Sequence, residues 1–217
     1  GVGHTGSGIG APCGVGLRRW DIEPDDSAGR PLPLTPPGIF LRRLVGLAGV
    51  PLTPAGLLAI LKHPLCGGKG SRASHLQMTR ALELKVLRGG APFVDWRELE
   101  SWAEGVGEAE RHWIACIKLA LEPLLTVAPQ IDLTEWLTLH REVAEALSRG
   151  LDTEGTGPLW EKDAGEAALG AFAALEEEAT FGGVTPAVQY RALFQSVLNG
   201  VEVRDEAFLP HPSIAIL

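Results

Sequence analysis

The sequence predicts a mainly α-helical fold, a bundle of about eight helices with a short β element at its C-terminal edge. Three observations predict it. Apolar residues recur at helical spacing in one segment after another; most of these segments open on a capping Thr or Asp or close on glycine; and strand-like character is confined to VEVR (201–204) and SIAIL (213–217). Nothing repeats at the periods of roughly 30 to 45 residues that mark a helical solenoid.

Residues 1–16, GVGHTGSGIGAPCGVG, hold seven glycines and almost nothing to bury, which predicts a flexible or non-native arm. Gly1, Gly3 and Gly6 match G-x-G-x-x-G in form only, because no strand precedes them and no helix follows. A helical domain is expected over 17–200. After a turn at EPDDSAGRPLP (23–33), Thr35 caps a helix carrying Ile39, Phe40, Leu41, Leu44, Val45 and Leu47. Thr53 and Pro54 open a second over 53–62, whose Leu57, Leu58, Ile60 and Leu61 cover too much of its circumference for a free surface helix. Pro64 pushes His63 out of helical geometry and ends it.

The glycine-rich break CGGKGS precedes a helix over 72–88 with Leu76, Thr79, Leu82, Val86 and Leu87 on one stripe, and GGAP ends it. Asp95 caps 96–104. The segment 108–127 carries Trp113, Ile114, Ile117, Leu121 and Leu124, with Pro123 expected to kink or end it. Asp132 caps 133–149, which closes on Gly150 with Arg149 in the last turn. After DTEGTGP come a helix at 163–179 and another that starts on Thr185-Pro186 and ends at Asn199-Gly200. Residues 201–217 form the strand-bearing edge.

Composition narrows the class. A hydrophobic share of 45% over 217 residues suffices for a sizeable core. No apolar run approaches the roughly 20 residues that cross a bilayer, and no signal layout opens the chain, so a cytoplasmic protein without membrane association is expected. Cys13, Cys66 and Cys116 are too few and scattered for a disulfide framework, in keeping with a reducing compartment. A start on Gly1 and a stop at Leu217 inside SIAIL suggest a piece of something longer. The net charge of −8 is unevenly divided: residues 1–94 carry 11 Lys and Arg against 5 Asp and Glu, and residues 95–217 carry 8 against 22. Over 27–94 the count is 9 against 1, and segments folding side by side there would present a positive face to phosphates. The alternative is a solvated face answering the acidic half.

Four patterns bear on chemistry. His63 with Cys66, and His112 with Cys116, could supply four tetrahedral zinc ligands, but the spacing is unspecific and a packed cysteine beside a bonded histidine explains each pair. No metal or other cofactor is expected. GGKGS (67–71) lacks the G-x-x-x-x-G-K-[ST] order of a nucleotide-binding loop, yet Lys69, Arg72 and the amides opening helix 72–88 suit a nucleic-acid phosphate. Trp20, Trp96, Trp102, Trp113, Trp136 and Trp160 fit core packing better than base stacking. No nucleophile–histidine–acid order sits in a diagnostic context, and no catalytic residue is assigned.

The strings WDIEPDDSAGRPLPLTPPGIFLRRLVGLA, PLTPAGLLAILKHPL, HLQMTRALELKVLRGGAP and LPHPSIAIL, in that order, resemble the middle of the AddB subunit of bacterial AddAB-type helicase–nucleases, in the form found in alphaproteobacteria. The resemblance runs from about Trp20 to Leu217 and is most diagnostic at 25–32, 51–65 and 209–217; residues 95–200 match in helical character alone. It implies a non-catalytic helical insertion in a helicase-like subunit that partners an AddA-type motor and processes double-strand DNA ends for recombinational repair. The family's nuclease motif and iron–sulfur cysteines would lie outside this chain. On this reading Arg30, Arg42, Arg43, Lys62, Lys69 and Arg72 are the candidates for contact with the DNA backbone. A self-contained α-helical protein-interaction module without DNA affinity is the alternative.

Overall fold

The computed structural model describes residues 29–152 and 155–203. Among them β1 (Arg30–Pro31) and a 3-10 turn (Leu32–Leu34) lead into α1 (Pro36–Val45), followed by α2 (Pro54–Leu61) and α3 (Arg72–Leu82), which a π turn extends over Glu83–Leu87. Then come α4 (Trp96–Val106), α5 (Glu108–Leu125), β2 (Gln130–Asp132), α6 (Leu133–Arg149) and α7 (Lys162–Glu178). A second 3-10 turn (Ala179–Phe181), β3 (Val184–Pro186), α8 (Ala187–Asn199) and β4 (Glu202–Val203) complete the order. The fold is mainly helical, with short two-stranded sheets.

Four of the helix starts follow from side chains that meet the orphan amides of a first turn. Thr35 Oγ1 accepts from the Gly38 amide at 3.4 Å, Thr53 Oγ1 from Gly56 at 3.1 Å, and Asp95 Oδ1 from Arg97 at 2.9 Å. At α6 the cap is reciprocal: the Thr134 amide donates to Asp132 Oδ1 at 3.1 Å, and the Asp132 amide donates to Glu135 Oε2 at 3.4 Å.

Four details differ from the sequence reading. Pro123 does not break α5, which runs two residues further and closes with the Thr126 amide on the Glu122 carbonyl at 2.9 Å. Its missing N–H falls in the last turn, where one absent bond costs little continuity. On α3 the inward residue is His75 rather than Leu76, which is 40% exposed, because the imidazole has polar partners deep in the core. Thr185 and Pro186 belong to β3, whose register with β2 pairs Gln130 with Pro186 and Ile131 with Thr185. Strand pairs this short carry no alternation to read. Finally, β1 pairs with β4 inside what reads as a turn, while SIAIL lies outside the described residues.

One hydrophobic cluster runs through the described chain. Helix α1 packs against α6, α7 and α8; α2 bridges α1 and α3; α4 and α5, joined by Gly107 alone, pack on each other, and α5 lies along α6. Trp113 and Trp136 are buried, Trp96, Trp102 and Trp160 pack partly buried against the same core, and Trp20 lies outside the described residues.

At the centre His140 of α6 joins three helices. Its Nε2 lies 3.0 Å from the Leu41 carbonyl of α1, and its Nδ1 lies 3.0 Å from the Tyr190 hydroxyl of α8. A carbonyl can only accept, so Nε2 carries the proton and Tyr190 donates to Nδ1. Phe172 and Phe194 meet the imidazole edge-on, and Trp136 stacks on Tyr190 at 5.1 Å between ring centroids. Burial pushes the His140 pKa down to about 4, only partly offset by the bond to Leu41.

Between pH 6.5 and about 4 the unfolded chain therefore binds a proton at His140 that the native state refuses, so stability falls as pH falls through this window. The loss from His140 alone is expected to be on the order of 3 kcal/mol. Urea unfolding at pH 7, 5.5 and 4.5 measures it. His140→Gln should flatten the slope at the cost of lower stability at pH 7, and an equally steep slope in that variant would contradict the assignment.

Candidate nucleic-acid interface

The glycine-rich loop after α2 holds an anion, and the anion belongs to the protein. The amides of Lys69 and Gly70 donate to Asp152 Oδ2 at 2.8 and 3.2 Å, the Ser71 amide donates to Oδ1 at 3.2 Å, and the Ser71 hydroxyl donates to the same oxygen at 3.0 Å. Just before them, the amides of Gly67 and Gly68 donate to the carbonyls of Leu147 and Ser148 at 2.9 and 2.8 Å, meeting orphan acceptors in the last turn of α6. The glycines make this possible. Gly67 and Gly150 both adopt positive φ, +96° and +62°, and a Cβ on Gly150 would lie 2.5 Å from the Gly67 carbonyl carbon. Burial raises the Asp152 pKa, but the hydroxyl of Ser71 and the amides of Gly70, Lys69 and Ser71 together hold it below its usual value. Geometry that suits a phosphate thus serves a carboxylate brought from some eighty positions away.

The six candidate cations fall into separate surroundings. Arg43 Nη1 donates to the Ala59 carbonyl at 3.1 Å, and Arg72 donates to the carbonyls of Lys62 at 3.2 Å, Leu61 at 3.5 Å and Cys66. Two guanidiniums thus cover the negative end of α2. Lys62 Nζ pairs with Glu83 at 2.6 Å, and Lys69 Nζ pairs with Glu161 at 2.5 Å. Arg42 reaches the Pro33 carbonyl at 3.5 Å, and Arg30 is exposed on β1 opposite Val203.

Arg43 and Lys62 do come together. They line an open hollow of about 370 Å³ with Ala55, Leu58, Ala59, His63 and Pro64, an apolar floor between two positive rims. In the sequence His63 stands out only as a metal-ligand candidate, yet its ring stacks on Phe40 at 4.9 Å, and its Nδ1 accepts the Leu65 amide at 3.3 Å. Burial, then the charges of Arg43 and Arg72, pushes its pKa down to about 4, so at neutral pH the single proton sits on Nε2.

The two His/Cys pairs do not assemble into one site. Cys66 is buried, and burial pushes its thiol up to about 12 against the opposing effect of Arg72; Cys116 lies 3.7 Å from His112 Nε2 on its own helix, its thiol also raised by burial. Among the described residues no group of three or more His, Cys, Asp or Glu side chains is arranged to hold a metal ion. No helix among them is long and apolar enough to cross a membrane. Compared with family models, curated proteins and solved structures, the chain finds no match in any of the three.

Two substitutions test the loop. Asp152→Asn removes a partly exposed carboxylate, and we expect a stability loss of about 1 kcal/mol, with faster hydrogen exchange at the Lys69, Gly70 and Ser71 amides. Gly150→Ala forces a left-handed residue against the Gly67 backbone and should cost on the order of 2 kcal/mol. Amide exchange and urea titration read both; unchanged protection at 69–71 in Asp152→Asn would show that the carboxylate does not hold the loop.

Proposed function

We propose that this chain is a non-catalytic helical region of an AddB-type ATP-dependent helicase–nuclease subunit, acting in double-strand DNA break repair and recombination. It serves subunit packing with an AddA-type partner and touches the DNA backbone. The observation that carries the reading is the β1–β4 pairing. Arg30 lies opposite Val203 and Pro31 opposite Glu202, and the Leu32 amide donates to the Val201 carbonyl at 2.9 Å. An antiparallel ribbon at both ends of the helical body makes the chain enter and leave it side by side, as a domain inserted into a loop of a larger fold requires. The family resemblance of the strings at 25–32 and 51–65 supplies the host.

Subunit packing is supported by an apolar edge in which Phe181, Val184 and Val188 are 85%, 65% and 66% exposed, on three adjoining elements. DNA contact is supported by the hollow between Arg43 and Lys62. The same apolar edge suits the alternative reading, an interaction module that meets a protein and no DNA.

Fluorescence anisotropy of a DNA end, measured at several salt concentrations with and without an AddA-type subunit, separates the two. We expect partner association that Phe181→Asp weakens. We also expect a DNA affinity whose log–log salt slope drops by about one for each phosphate that Arg43→Glu or Lys62→Glu leaves without its cation. Partner association with unchanged DNA binding in both charge variants removes the DNA role; absence of both partner and DNA binding removes the whole reading.

A further inference from the structure

We propose that the hollow between α1 and α2 is a phosphate subsite in which the Nε2–H of His63 and the side chains of Arg43 and Lys62 hold one phosphodiester group of a DNA strand. The inference deepens the DNA-binding part of the reading above and names its site. His63 is only 7% exposed, and its Nε2–H has no hydrogen-bond partner among the described residues. Among those residues the one side-chain polar atom both sealed from solvent and unpartnered is Ser148 Oγ, so His63 Nε2 keeps its access to solvent, and His63 is one of the residues that line the hollow. Water can reach this N–H, and a phosphate oxygen bound in the hollow would accept from it in the water's place.

The surroundings suit an anion carrying an organic group. Arg43 has used one of its five N–H donors on the Ala59 carbonyl, leaving the fork available for a second acceptor. Lys62 is 47% exposed and held by Glu83, which among the described residues is the one carboxylate paired with the rim and which a phosphate would have to outcompete. Ala55, Leu58, Ala59 and Pro64 offer an apolar floor that a bare inorganic ion leaves uncovered and a sugar covers. A neutral imidazole adds a donor without a third repelling charge against Arg43 and Arg72.

The test follows the His63 side-chain nitrogens by NMR in the full chain, with His75 and His140 as internal controls. Inorganic phosphate and the dinucleotide pdTpdT are added separately, and anisotropy of a labelled oligonucleotide reports affinity. With pdTpdT we expect a saturable shift at His63 Nε2 and an upward move of its acid midpoint, since a bound anion favours the imidazolium; phosphate alone should act more weakly. Arg43→Ala should weaken binding about tenfold, and Glu83→Gln, which frees Lys62, should strengthen it about threefold. A His63 signal silent to both ligands overturns the subsite, as does an equal response to phosphate and pdTpdT that Glu83→Gln leaves unchanged. The gain in Glu83→Gln guards against mistaking misfolding for weakened binding. If His63 responds but no AddA-type subunit associates, the subsite stands and the subunit reading falls; if the partner associates and His63 is silent, only the subsite falls.

Discussion

Five consecutive amides, from Gly67 to Ser71, donate to the six-residue stretch from Leu147 to Asp152, and this clasp fastens the loop after α2 to the end of α6. Two of them quench the end of α6 and three hold a carboxylate, so the backbone is satisfied without a strand or a further helix. Lys69 and Glu161 add an ion pair over the same junction, exposed and therefore weak. The strong part is the backbone, and glycine at 67, 68 and 150 is what lets two main chains approach so closely. A loop composed like a phosphate cradle thus acts as an internal fastener.

The same rule, that a helix end needs partners, explains why α2 can exist. At eight residues it is too short to be stable alone, and its last carbonyls are met from outside by Arg43, Arg72 and the Nε2–H of His75 on the Leu61 carbonyl at 2.7 Å. His75 Nδ1 in turn accepts the indole N–H of Trp113 at 3.0 Å, which fixes its tautomer as the Leu41 carbonyl fixes that of His140. Both histidines sit between a main-chain carbonyl and an aromatic donor, each joining three helices while remaining neutral. Polar residues in this core therefore set the geometry between helices that apolar packing alone would leave free to slide.

Four helix starts were legible because they carry their own punctuation: Thr35, Thr53, Asp95 and Asp132 act at short range on amides two or three residues away. Whatever depends on distant partners was not. Leu76 and His75 are adjacent on α3, and periodicity favours the leucine; only Trp113 and the Leu61 carbonyl, remote in sequence, make the histidine the inward residue. Asp152 sits in a polar stretch that reads as an ordinary loop, and nothing local marks it as the anion for residues 69–71. The basic run was visible as composition, but which of its members cap carbonyls and which line a hollow is a property of the packed helices.

That distinction bears on how the charge asymmetry should be understood. Nine cations against one acid between 27 and 94 suggest an extended binding surface, yet Arg72 serves the end of α2, Lys69 meets Glu161 and Lys62 meets Glu83. The carbonyl partners of Arg72 leave its charge uncancelled, whereas Glu161 and Glu83 offset much of the field of Lys69 and Lys62. The hollow at Arg43 and Lys62 is where anchored charge and apolar lining meet His63. Cations fixed by helix ends lose little side-chain entropy on meeting a ligand, so a site made from structural arginines can hold a phosphate more firmly than a stripe of free lysines of equal charge.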